Sequence, residues 1–230
     1  MKKHVGRRPF SIMEVRALFS GYIYSDFLIS HEQPRDWQFW LPLLAWFTGA
    51  NSEELALIAK NDIAHHDQRY FVTVGNHSRL ASRTLPLHHC LIDAGFIEWM
   101  NQQPGSPEQR LFSDLPTKNN RYSEKIRLWF SGDGDRQGYM QKCDIPSTDS
   151  QGKKTAFSSF RANFEAHIKQ QCQRLQINPT NYLAYTLGTK VRGSTVSISQ
   201  LDKPTLHHLI DSIGVPAQHI SWQRFATRVH

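Results

Sequence analysis

The stretch at residues 40–63, WLPLLAWFTGANSEELALIAKNDI, limits what this chain can fold into more than any other. Leu41, Leu43, Leu44, Trp46 and Phe47 form an apolar run that predicts a buried helix. Thr48-Gly49-Ala50 should end it, because glycine readily takes the backbone angles of a turn. Leu55, Ile58 and Ala59 then recur at helical spacing, behind Glu53 and Glu54, whose carboxylates suit the positive end of a helix dipole. Ile63 leads towards a strand. Two helices joined by a tight turn, ahead of a hairpin, predict an α+β core.

The rest of the chain extends that core. Ser11 with Glu14 three residues later, followed by apolar residues at helical spacing, predicts a capped helix over 10–19. Tyr70 to Val74 is rich in β-formers, Gly75-Asn76 signals a turn, and residues 83–88 alternate polar and apolar, which together predict a hairpin. Pro86 should mark a strand end or an edge. One helix is expected over 90–100 and another over 121–130, with loops at 102–120 and 144–154. The Gly/Asp run at 132–135 lacks the ligand spacing of a calcium loop. Leu206, Leu209, Ile210 and Ile213 form the stripe of one of two short C-terminal helices. The reading is a mostly helical α+β protein with a small antiparallel sheet.

Composition narrows the function classes. With 230 residues, one sizeable core is expected. No run approaches the roughly 18 apolar residues of a membrane span, and no apolar signal core follows the basic start, so the expected location is cytoplasmic. Cys90, Cys143 and Cys172 fit neither a disulfide framework nor metal spacing. The paired histidines His65-His66, His88-His89 and His207-His208 are neighbours expected to point apart, so no metal or other cofactor is predicted. A formal net charge of +7 points to a polyanionic partner, nucleic acid before membrane.

Four segments carry a family resemblance. FTGANSEEL at 47–55 resembles a helix end that reads Thr-Gly-Ala-Arg and then Glu-Glu-Leu; SRTLPLHHCLIDAGF at 82–96 resembles "Arg-Thr-Val-Pro-Leu-His, then a helix". KKTAFSSFRANF at 153–164 resembles a helix start carrying His-x-x-Arg-His, and YLAYTLGT at 182–189 resembles a segment ending Leu-Gly-His. All belong to the catalytic domain of tyrosine recombinases (phage integrases). The resemblance implies that DNA breaking-and-rejoining fold over 10–230, behind a basic arm at 1–9 and without the N-terminal core-binding domain.

That family attacks a DNA phosphodiester with a tyrosine hydroxyl while arginine and histidine donors clamp the phosphate. Matched position by position, Asn51 replaces one catalytic arginine, and His77 stands nearest the proton-donating lysine, with Arg79 close by. Ser158 replaces a histidine, Arg161 keeps the second arginine, and Ala162 replaces another histidine. Thr189 stands where a histidine or tryptophan contacts the phosphate, and Ile198 where the nucleophile belongs. No tyrosine follows Tyr185. The resemblance therefore implies a mobile-element or phage-derived DNA-binding protein, linked to DNA integration or recombination, without strand cleavage. Arg161, Arg79, Arg83, His77, Lys153 and Lys154 are the implied duplex-DNA contacts, with Arg161 and the 77–83 turn sharing one basic cleft. Two alternatives stay open: an active recombinase with a displaced or trans-supplied tyrosine, and an accessory that docks on an active recombinase. A homo-oligomer is also compatible.

Overall fold

The computed structural model describes residues 7–26, 33–76 and 80–229. They are mostly helical, with a three-stranded antiparallel sheet and a separate two-stranded hairpin. Helix α1 (Ile12–Ser20) opens with the expected capping box, Glu14 N–H donating to Ser11 Oγ at 3.3 Å and Ser11 N–H to Glu14 Oε2 at 2.7 Å. Arg8 also binds Glu14, at 2.6 Å, and holds its carboxyl down at about 2. Arg8 further meets Asp149 at 3.1 Å, and its N–H donates to the Lys154 carbonyl at 3.2 Å. The end of the expected free arm, residues 7–9, is thus tied down; residues 1–6 lie outside the described residues.

Helix α2 (Asp36–Thr48) runs through the centre and is buried nearly all round. Trp40 packs against Phe96, Trp99 and Trp222 at ring separations of 5.1, 5.4 and 5.8 Å. Gly49 ends the helix at φ +63°, and a Cβ there would lie 2.5 Å from the Phe164 ring, so glycine is required both by the turn and by the helix crossing beside it. Helix α3 (Ser52–Ala56) follows, then β1 (Ile63–His66), β2 (Arg69–Val74) and β3 (Arg83–Pro86), paired in that order. Pro86 closes an edge strand opposite Phe71, as its missing N–H requires.

The single helix expected over 90–100 is two. Helices α4 (His89–Asp93) and α5 (Phe96–Gln102) are separated by Gly95 at φ +93°, a bend that lets Phe96 and Trp99 both bury against Trp40. Helices α6 (Tyr122–Ser131) and α7 (Tyr139–Lys142) precede the long α8 (Ser159–Arg174) and α9 (Thr180–Leu187). The small hairpin β4 (Lys190–Val191) and β5 (Ser194–Thr195) comes next, then α10 (Lys203–Asp211) and α11 (Trp222–Val229). The stripe Leu206, Leu209, Ile210 and Ile213 is buried in the main core. No helix among the described residues is long and apolar enough to cross a membrane.

Polar ties fasten the end of α10. Arg69 forks onto Asp211 at 2.9–3.0 Å, His167 Nε2 meets Ser212 Oγ at 3.0 Å, and Trp46 donates to the Gly214 carbonyl at 2.9 Å. His88, fully buried and stacked 4.2 Å from Phe47, accepts the Cys90 N–H at Nδ1 and so donates from Nε2 to the Asp211 carbonyl at 3.2 Å. Burial, helped by neighbouring His89, lowers its pKa from 6.5 to about 4. The unfolded chain therefore binds more protons between these values. The contribution of His88 is intact above pH 6.5 and is lost as pH falls towards 4. We expect a loss on the order of 3 kcal/mol across this window, at about 1.4 kcal/mol per pKa unit. Urea unfolding at several pH values checks it, and His88→Phe should flatten the dependence.

Candidate nucleic-acid interface

Arg161 and Arg83, two of the residues singled out by sequence, meet where α2 and α9 end. Each helix stops at a glycine in the left-handed region, Gly49 and Gly188, both at φ +63°. Both leave carbonyls facing one cation on α8. Arg161 donates from one terminal nitrogen to the Gly49 carbonyl at 2.8 Å and from the other to the Leu187 carbonyl at 2.6 Å. A guanidinium bridging two helix C-termini answers two negative dipole ends at once. Burial lowers the Arg161 pKa, opposed by Glu54 and assisted by Arg83, so these three charges share one neighbourhood.

Arg83 reaches the same junction from β3. It is 3% exposed, donates from Nε to the Thr186 carbonyl at 2.7 Å and pairs with Glu54 at 2.5 Å. This corrects its expected role. A buried guanidinium committed to a carboxylate and a carbonyl joins α3, β3 and α9 and is unavailable as a solvent-facing DNA contact. Arg83 and Arg161 both act on the end of α9, and the exposed cations near Arg161 in sequence are Lys153 and Lys154.

The other positions fall as follows. Asn51 caps α3, its side chain accepting the Glu54 N–H at 3.0 Å, while Glu54 accepts the Asn51 N–H at 2.9 Å. Ser158, at the head of α8, and Thr189, after Gly188, are exposed. Ile198 is half-buried and packs on the core. His77 and Arg79 lie outside the described residues. Tyr185 is buried, and its hydroxyl donates to the Thr84 carbonyl at 2.8 Å and accepts the Thr84 N–H at 3.2 Å. Its pKa is raised by burial.

Two features escape sequence reasoning. Glu53 and Glu54 both read as first-turn acids of α3, yet Glu53 accepts the N–H groups of Tyr122 and Ser123 at 3.3 and 2.7 Å, at the head of α6. Glu54 is the partner of Arg83. The local spacing marks Glu54 as the capping partner of Asn51, but neither the Arg83 pairing nor the α6 contacts has a local signal, since those partners lie far away in sequence. The donor atoms of His88, His89 and Cys90 also come within 4.8 Å of one another, although neighbours were expected to diverge. Both His88 nitrogens are already hydrogen-bonded, leaving too few donors for a tetrahedral zinc site.

No protein-family model and no curated protein matches the chain. Among solved structures, the chain is similar to the XerH site-specific recombinase bound to its difH substrate in a pre-cleavage complex, at 14% identity and a TM-score of 0.49, covering 80% of this chain and 48% of that one. It is also similar to XerH on a palindromic difH substrate in a post-cleavage complex, at 13% identity and a TM-score of 0.45, covering 96% and 52%. The chain spans about half the length of these structures.

Proposed function

We propose that this is a tyrosine-recombinase-like catalytic domain that binds duplex DNA and does not cleave it. The observation that carries the reading is Arg161, which joins three of the four segments bearing the motif resemblance: the end of α2, the start of α8 and the end of α9. Exposed Lys153, Lys154, Ser158 and Thr189 supply cations and hydroxyls of the kind that hold phosphates, and the net charge is +7. Asn51 is neutral and occupied as a helix cap, so one phosphate-clamping charge is missing. Ile198 offers no nucleophile.

Contacts limited to the phosphate backbone give weak binding with little sequence preference. Fluorescence anisotropy on unrelated duplexes should yield similar affinities, falling steeply as salt rises, by about 0.9 log units per log unit of salt for each phosphate neutralised. An affinity flat in salt would sink the reading and favour docking on a partner recombinase.

A further inference from the structure

The hairpin after Gly188 has a composition that the core does not explain. From Thr189 to Thr195 it carries Lys190, Arg192 and three hydroxyl residues, Thr189, Ser194 and Thr195, and no acid occurs before Asp202. All five are exposed, whereas Val191 packs against the core. The turn is a two-residue one: Arg192 and Gly193 sit at φ +50° and +84°, the pattern whose twist matches a tight hairpin. Its base is fixed at both ends. Thr189 N–H donates to the Ala184 carbonyl at 2.9 Å, the Gly188 carbonyl takes the Ala81 N–H at 3.2 Å, and Val196 is buried. It leaves the chain immediately beyond Leu187, whose carbonyl holds Arg161.

We propose that this hairpin is a preformed backbone clamp for duplex DNA, with Lys190 and Arg192 each neutralising one phosphate and the flanking hydroxyls donating to phosphate oxygens. The proposal rests on the DNA-binding reading above. Cations on a fixed turn lose little freedom on binding, and such contacts position a duplex without reading its sequence.

The test compares wild type, Lys190→Gln/Arg192→Gln and Lys118→Gln/Lys125→Gln, the last pair removing the same charge from exposed positions around α6. Each is titrated with one duplex over a range of salt. The hairpin variant should reduce the salt slope by about 1.8, two phosphates' worth, while the α6 pair leaves it unchanged. Lys190→Arg/Arg192→Lys should retain the wild-type slope. An unchanged slope in the hairpin variant, with wild type still binding, overturns the clamp alone. Equal losses in both charge-removal variants also overturn it, by reducing the effect to net charge. No salt-dependent binding by wild type overturns the clamp and the DNA reading together. Circular dichroism of each variant confirms that the fold is retained.

Discussion

A nicked suicide duplex incubated with this protein is expected to trap no covalent adduct. The family chemistry implied by the motifs needs a tyrosine hydroxyl in line with the phosphate, and nothing else supplies that covalent step. At the position that the resemblance assigns to the nucleophile, Ile198 is packed on the core. Tyr182 and Tyr185 both precede Gly188 in the chain, whereas the resemblance implies a nucleophile after it. The Tyr185 hydroxyl is further tied at two points to the Thr84 backbone, and burial raises its pKa. Losing one oxyanion-type donor costs about 10²–10³ in rate, and the motif resemblance implies that a nucleophile and several donors are replaced together here. Denaturing gels with end-labelled DNA make the measurement. An adduct abolished by Tyr185→Phe or Tyr182→Phe would show an active enzyme with a displaced nucleophile. Ile198→Tyr alone should also fail, because Asn51 leaves the phosphate half clamped. Adding Asn51→Arg removes a helix cap and is expected to cost about 1 kcal/mol of stability.

Replacing Glu54 by Gln is expected to destabilise the fold by about 3–5 kcal/mol, the cost of leaving one charge of a buried pair uncompensated. The Glu54 and Arg83 side chains are 0% and 1% exposed, so solvent cannot stand in for the lost partner. Glu54 also offsets the mutual repulsion of Arg83 and Arg161, which its removal would leave facing each other. Glutamine keeps an oxygen for the Asn51 N–H, so the loss reads the charge rather than the cap. At about 2–4 °C per kcal/mol, the thermal midpoint should fall by roughly 10 °C. The double variant Glu54→Leu/Arg83→Met should recover much of this, since apolar replacements remove the stranded charge. A loss below about 1 kcal/mol, the size of a surface pair, would mean that water reaches the junction.

Local signals were legible because their partners lie within a few residues. Ser11 and Glu14 sit three apart and close on each other. Gly49 ends α2 for a reason held in its own backbone, and the stripe from Leu206 to Ile213 follows the helical period. The same locality misled at residues 90–100, where the pattern allowed one helix and Gly95 divides it so that Phe96 and Trp99 reach Trp40. The β4–β5 hairpin was missed because each strand is only two residues long, too short for an alternation to register.

The candidate site divides along the same line. By itself the sequence determined the residue types on offer: an arginine at 161, an amide at 51, an aliphatic side chain at 198 and no tyrosine beyond 185. Those are facts of chemistry that folding cannot alter. Only the tertiary structure decided which charges remain available. Arg83 and Glu54 stand 29 residues apart and meet in the core, and Arg161 spends two donors on carbonyls 112 and 26 residues away. Whether a cation faces solvent or an internal acceptor depends on which helix ends are brought against it. That is set by packing of the whole core, which no window of the sequence contains.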